Sequence, residues 1–249
     1  MSDCVPSTRT GVGARPSGAS RIAGFTNRAR KPAAIMAAGL CLGLYAAGPA
    51  RAAESQPSMM SRPKQADFLG EPASTDARQV ADWVVGKSDN RSLPFVIVDK
   101  KNTKVFVFDG RGHLLGATPA LLGLARGDDS VPGIGNRALS DIRPGERTTP
   151  AGRFVASLGH NLGPQDILWV DYSAAISLHR VLATNTREHR LQRLAAASPL
   201  SHRITFGCIN VPVKFYDRVV HAAFTGTSGV VYILPEIKSI PEVFFDSIS

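Results

Sequence analysis

Two runs of β-branched and aromatic residues, Pro94-Phe95-Val96-Ile97-Val98-Asp99-Lys100 and Lys104-Val105-Phe106-Val107-Phe108-Asp109, limit what this chain can become more than any other feature. Such side chains lose rotamer freedom on a helix and pack well on a pleated surface, so both runs read as strands. The turn Lys101-Asn102-Thr103 between them is short enough only for a hairpin. A second turn, Asp109-Gly110-Arg111-Gly112, leads into His113–Ala117 and extends the pair to an antiparallel meander. Further strands are predicted over 152–158, 167–172, 175–179 and 230–234. A helix runs from Asp76, a cap with Gln79 three residues on, to Val85, with Val80, Trp83 and Val84 on its apolar face. Trp83 reads as core packing. The fold class is therefore mixed α/β and mostly β: an antiparallel sheet or sandwich with a few short helices. Neither an internal repeat nor a phosphate-binding or dinucleotide-binding glycine motif is present.

The net charge of +9 would suggest a nucleic-acid partner if it were spread over the chain. It is not: residues 1–52 hold seven Arg and Lys against one acid, leaving 22 basic and 19 acidic residues afterwards. Nucleic acid is thus not expected as a partner. The leader reads as a signal peptide over 1–52. Arg21, Arg28, Arg30 and Lys31 form its positive region, Ala33 to Gly48 its apolar run, and Ala50-Arg51-Ala52 its cleavage site. That run of 16 residues is short beside the roughly 20 that span a bilayer, so no stable membrane insertion is expected after cleavage. A flexible linker (53–75), an N-terminal helix and connection (76–93), a catalytic domain (94–235) and a C-terminal tail (236–249) follow. Residues 123–147, rich in Gly, Asp, Arg and Pro, form a long surface loop expected to flank the site.

Cys4 and Cys41 lie in the leader, so the processed chain keeps only Cys208 and has no internal disulfide to make. Cys208 follows Gly207 and precedes Pro212, which opens a predicted helix running to Val220. A cysteine just ahead of a helix N-terminus feels its partial positive charge, which favours thiolate. The backbone amides of Gly207 and Cys208, with Phe206 adjacent, are candidate donors to an oxyanion. A thiol whose free pKa is about 8.5 needs a base. Of the six histidines His179 has the best position, at the end of the apolar strand Ala174–Leu178. His202 reads as a surface-loop residue, and Asp171 is the nearest acid that could orient His179. Between His179 and Cys208 lies a charged helix, 187–195, expected on the surface. One cysteine and scattered histidines give no zinc-ligand spacing, so neither metal nor organic cofactor is expected.

Thr205-Phe206-Gly207-Cys208-Ile209-Asn210 resembles the Ser/Thr-His-Gly-Cys-hydrophobic-Asn/Arg signature of the bacterial L,D-transpeptidases, the YkuD-like domain family. Ile176-Ser177-Leu178-His179 fits the place of that family's upstream histidine, and Thr149-Pro150-Ala151-Gly152-Arg153-Phe154 resembles its Thr-Pro-x-Gly-x-Phe segment. The resemblance covers roughly 94–235. It implies a YkuD-like fold, Cys208 as nucleophile, His179 as base, and a backbone carbonyl beside the histidine as its orienting group. Two departures stand out: Phe206 occupies the family's usual histidine position, and the 29 residues from His179 to Cys208 exceed the usual spacing. Asn210 is expected to brace the loop. Arg203 and Thr205 are expected at the substrate, with Arg203 on a carboxylate.

These features imply an exported, periplasmic, cell-wall-associated cysteine acyltransferase acting on peptidoglycan stem peptides through a thioester. Two alternatives stand beside it. One is an L,D-carboxypeptidase or crosslink hydrolase using the same pair of residues; the other is a cell-wall-binding module without catalysis. Nothing in the sequence speaks to the oligomeric state.

Overall fold

In the computed structural model, residues 64–161 and 163–245 are described. The expected signal peptide with its expected cleavage site, and residues 53–63 of the expected linker, lie outside them. Helix α1 (Thr75–Lys87) is followed by strands β1 (Phe95–Asp99), β2 (Lys104–Phe108), β3 (Leu114–Pro119), β4 (Leu122–Gly123), β5 (Gly152–His160), β6 (Asp166–Asp171) and β7 (Ile176–Arg180). Then come α2 (Arg190–Ala195), β8 (Arg203–Thr205), β9 (Ile209–Val211), α3 (Val213–Phe215), α4 (His221–Phe224) and β10 (Ser228–Ile233). A π-helical stretch, Tyr216–Val220, joins α3 to α4.

Eight strands form one sheet in the order β3-β2-β1-β10-β5-β6-β7-β9, and β4 pairs with β8 in a second ladder. The meander β1-β2-β3 is antiparallel as the turns dictate. The sheet is mixed, because β10 returns parallel to β1 and β9 lies parallel to β7.

Alternation along β1 and β2 sorts their side chains to two faces. Val96, Val98, Val105 and Val107 join Tyr216, Val220 and Phe224 of the C-terminal helical stretch. Phe95, Ile97, Phe106 and Phe108 face α1 through Ala77, Val80, Ala81 and Val84. Each such side chain removed from water contributes on the order of 1.5–3 kcal/mol, so the two faces anchor both helical layers. Trp83 packs edge-on to Tyr232 and against Phe245, as core packing requires.

Three local expectations change. The cap of α1 is Ser74, whose Oγ accepts from the Ala77 amide at 3.1 Å, so the helix begins before Asp76. The described end of the expected tether is packed: Phe68 is buried edge-on against Phe106 and Phe108. The charged segment after His179 is a 3-10 turn (Thr186–Glu188) and α2, broken by His189 at a left-handed φ of 50°. Among the described residues no helix is long and apolar enough to cross a membrane.

Candidate active site

Cys208 does not abut the helix that Pro212 caps. Residues 209–211 form β9 between them, and β9 is the edge strand of the large sheet, parallel to β7. Three residues of strand put about 10 Å between the sulfur and the helix, beyond the single turn over which a helix end exerts its charge. The helix-dipole account of the thiolate is corrected on that geometry.

What β9 supplies instead is register. Leu178 pairs with Ile209, His179 with Asn210 and Arg180 with Val211. Cys208 therefore comes level with Ser177, whose buried hydroxyl donates to Sγ at 3.6 Å. The Ala175 carbonyl oxygen lies 3.5 Å from the same sulfur. His179 follows two residues after Ser177 on the same face of β7, about 6.6 Å further along the strand. In this structure Cys208 is disulfide-bonded.

The histidine is held at both nitrogens. Its Nδ1 lies 2.8 Å from the Arg180 carbonyl oxygen and its Nε2 lies 2.9 Å from Asn210 Nδ2. An amide N–H and a carbonyl oxygen have fixed roles, so Nδ1 carries the proton and donates, while Nε2 accepts. A backbone carbonyl, not Asp171, orients the ring; the Asp171 carboxylate accepts from the Ser173 and Ala174 amides in the turn before β7.

The loop before Cys208 is held by two buried threonine hydroxyls that make four hydrogen bonds between them. Thr205 Oγ1 donates to the Cys208 carbonyl at 2.7 Å and accepts from the Gly207 amide at 3.1 Å. Thr149 Oγ1 donates to the Gly207 carbonyl at 2.8 Å and accepts from the Gly123 amide at 2.9 Å. Gly207 sits at φ 133°, and a Cβ there would stand 2.7 Å from the Thr148 carbonyl oxygen. Only glycine fits both the torsion and the gap. Two expectations change here. Thr205, buried, braces the loop and does not face a substrate, and the Gly207 amide is turned inward to Thr205 instead of standing ready for an oxyanion.

Arg203 changes most. Its guanidinium donates to Glu236 Oε2 at 2.7 Å and to the Lys100 carbonyl at 2.8 Å, inside a buried charge cluster with Lys100 and Asp128. A substrate carboxylate has no access to it. His202 is likewise buried and not a surface residue. Its Nδ1 lies 2.6 Å from Thr103 Oγ1, and burial pushes its pKa down.

Phe206 lies under the Arg147 guanidinium, 3.9 Å from ring centroid to cation, and reaches two spaces. One is a pit of about 20 Å³ at Cys208, walled by Ile134, Arg137, Leu139 and Ala175, with room for roughly one water. The other is a cleft of about 510 Å³ lined by Leu124, Arg147, Leu182, Glu188, Arg190 and Phe206. The 123–147 loop thus contributes Ile134, Arg137 and Leu139 to the wall beside the sulfur. His179 opens on a further cleft of about 450 Å³ with Asp166, Arg180 and Leu182.

Two residues of the site escaped the sequence reading. Ser177 stood in the quoted histidine segment, and alternation along a strand ending in His179 places it on the same face. Arg190, on the segment expected at the surface, is buried and donates from Nη1 to Asn210 Oδ1 at 2.8 Å. No local signal marks such an arginine, because its partner is 20 residues away.

The chain matches no known family profile and no curated protein sequence. Among solved structures it is similar to an L,D-transpeptidase from Xylanimonas cellulosilytica (12% identity, 57% of this chain and 61% of that one, TM-score 0.34). It is also similar to one from Mycobacterium smegmatis (14%, 57% and 58%, TM-score 0.31). A third is the catalytic domain of the E. faecium L,D-transpeptidase (15%, 57% and 98%, TM-score 0.33). The aligned region spans less than two thirds of the first two of these proteins.

Proposed function

We propose that this protein is a cysteine acyltransferase of the L,D-transpeptidase kind, acting on peptidoglycan stem peptides outside the cytoplasm. The observation that carries the reading is the register of β7 on β9. It sets Cys208 level with Ser177 and His179 level with Asn210, so that nucleophile and base share one face of two neighbouring strands. The signature Thr205–Asn210 supports the choice of substrate.

In the reduced, processed chain His179 takes the Cys208 proton. The sulfur then attacks the carbonyl carbon between the third and fourth stem residues, forming a C–S bond. Collapse of the tetrahedral adduct breaks the C–N bond, and the terminal D-residue leaves as an amine carrying the proton from His179. An acceptor amine then attacks the thioester, the sulfur leaves, and the ring takes up the amine's surplus proton. The Ser177 hydroxyl donates to the sulfur whenever it is anionic. The oxyanion lies at the Cys208 amide, and the Gly207 amide joins it only when Thr205 Oγ1 turns away. If water replaces the amine, the same site is a carboxypeptidase or crosslink hydrolase.

The test is to incubate the chain, expressed with its own leader, processed by the host and kept reduced, with disaccharide-tetrapeptide muropeptides and to resolve products by mass spectrometry. Crosslinked dimers, or exchange of the terminal D-residue for an added one, are expected, and both should vanish in Cys208→Ala. Tripeptide alone would assign a hydrolase. Unchanged tetrapeptide would leave a binding module.

A further inference from the structure

We propose that Arg190 is a positioning residue that selects the tautomer of His179, acting through the side-chain amide of Asn210; the catalytic part of this rests on the function proposed above. Arginine N–H groups can only donate, so the Asn210 atom 2.8 Å from Arg190 Nη1 must be Oδ1. That fixes the amide, turning Nδ2 to His179 Nε2 at 2.9 Å. The amide nitrogen can only donate, so Nε2 is left with its lone pair and Nδ1 with the proton it gives to the Arg180 carbonyl.

Without Arg190 the amide can rotate by half a turn at no cost to its shape. Oδ1 would then face Nε2, and two acceptors, Oδ1 at Nε2 and the Arg180 carbonyl at Nδ1, would compete for the ring's one proton. In the share of molecules with the proton on Nε2 the basic nitrogen is Nδ1, aimed at the Arg180 carbonyl, where it can take no proton from a thiol. Arg190 is itself fixed by Glu188, whose Oε2 accepts from Nε at 2.5 Å. The backbone of Asn210 is clamped separately, its amide donating to the Leu121 carbonyl at 2.9 Å and its carbonyl accepting from the Leu121 amide at 2.8 Å. Only the side-chain amide is therefore left for Arg190 to set. The segment between His179 and Cys208 that lengthens their spacing thus reaches back and orients the residue directly opposite the histidine.

The experiment is nitrogen NMR on the full chain, 15N-labelled at histidine and kept reduced, with the His179 signals assigned through His179→Gln. Wild-type protein is expected to show the proton on Nδ1. Arg190→Met, which keeps the buried stem, is expected to give a mixture of tautomers, and Arg190→Lys, which keeps a donor, to restore the wild-type pattern. Turnover of muropeptides should fall about tenfold in kcat in Arg190→Met with little change in KM, the usual scale for losing a partner that orients a working side chain. A wild-type proton on Nε2, or an unchanged tautomer in a folded Arg190→Met, overturns the proposal. The wild-type spectrum decides even if the Met variant does not fold. A tautomer that shifts as expected in a chain that never turns over muropeptides would retain the positioning role and remove the enzymatic reading.

Discussion

Asn210 Nδ2 lies 2.9 Å from His179 Nε2, across the parallel pairing of β7 with β9. The contact makes Asn210, rather than Cys208, the residue directly opposite the histidine. Cys208 is two residues earlier in register, beside Ser177. The two strands form a four-residue square in which one diagonal joins the proposed nucleophile to its base.

Ser177 is therefore expected to matter to the sulfur. Its hydroxyl is a buried donor at 3.6 Å, and a donor to the anionic form favours that form. Ser177→Ala should slow alkylation of Cys208 by iodoacetamide near neutral pH about fivefold, the equivalent of one hydrogen bond of roughly 1 kcal/mol. An unchanged alkylation rate in the variant would remove Ser177 from the site.

Thr149 is expected to matter to the loop. Thr149→Val keeps the shape and removes a hydroxyl that serves the buried Gly123 amide and Gly207 carbonyl together. Leaving such groups unpaired costs about 1–3 kcal/mol. Urea denaturation should show that loss in Thr149→Val, and Thr149→Ser should recover most of it. Equal losses in both variants would mean that the methyl group, not the hydroxyl, is what counts.

The strands were legible where their own side chains declare them. Phe95 to Val98 and Val105 to Phe108 are β-branched and aromatic throughout, and that composition with the short turn between them marked the hairpin, whereas which residues face which layer is set by packing. β4, β8 and β9 were missed because two or three residues carry no period; they are strands only because Leu122 and Gly123 pair with Arg203 and Thr205, and Ile209 to Val211 with Leu178 to Arg180. Cys208 and His179 could be chosen from spacing and motif, but their setting could not. The helix at Pro212 is present, yet β9 intervenes. Arg203 and Arg190 look alike in the sequence, and only tertiary contacts send one to Glu236 and the other to Asn210.

Arg203 gives a third prediction. Its buried pair with Glu236 is structural, so Arg203→Met should lower stability by about 3–5 kcal/mol, the usual cost of stranding the partner of a buried ion pair. Stability is read from urea melts. A fully stable variant with weakened muropeptide binding would restore the earlier assignment to a substrate carboxylate.

A fourth concerns acid. Burial pushes the Asp128 carboxyl up, but the Lys100 ammonium at 2.7 Å and the amides of Lys238, Glu236 and Ile237 outweigh it and hold the group at about 2, below its ordinary 3.8. A depressed folded pKa contributes stability that is present above 3.8 and is lost as pH falls toward about 2. The contribution is about 2 kcal/mol. Wild-type protein should lose it across that window, while Asp128→Asn, already less stable at neutral pH, should lose that much less. Parallel losses in the two proteins would assign the acid sensitivity to other carboxylates.

The most direct test of the central claim is the intact mass of the reduced, processed chain, quenched in acid soon after mixing with disaccharide-tetrapeptide. The account predicts a covalent adduct of the disaccharide-tripeptide acyl group, lost on treatment with hydroxylamine and located by fragmentation on Cys208. Cys208→Ala should show none, and His179→Ala should accumulate it far more slowly. An unmodified mass at every time point, with the tetrapeptide intact in solution, would contradict the claim that Cys208 is an acyl-transferring nucleophile.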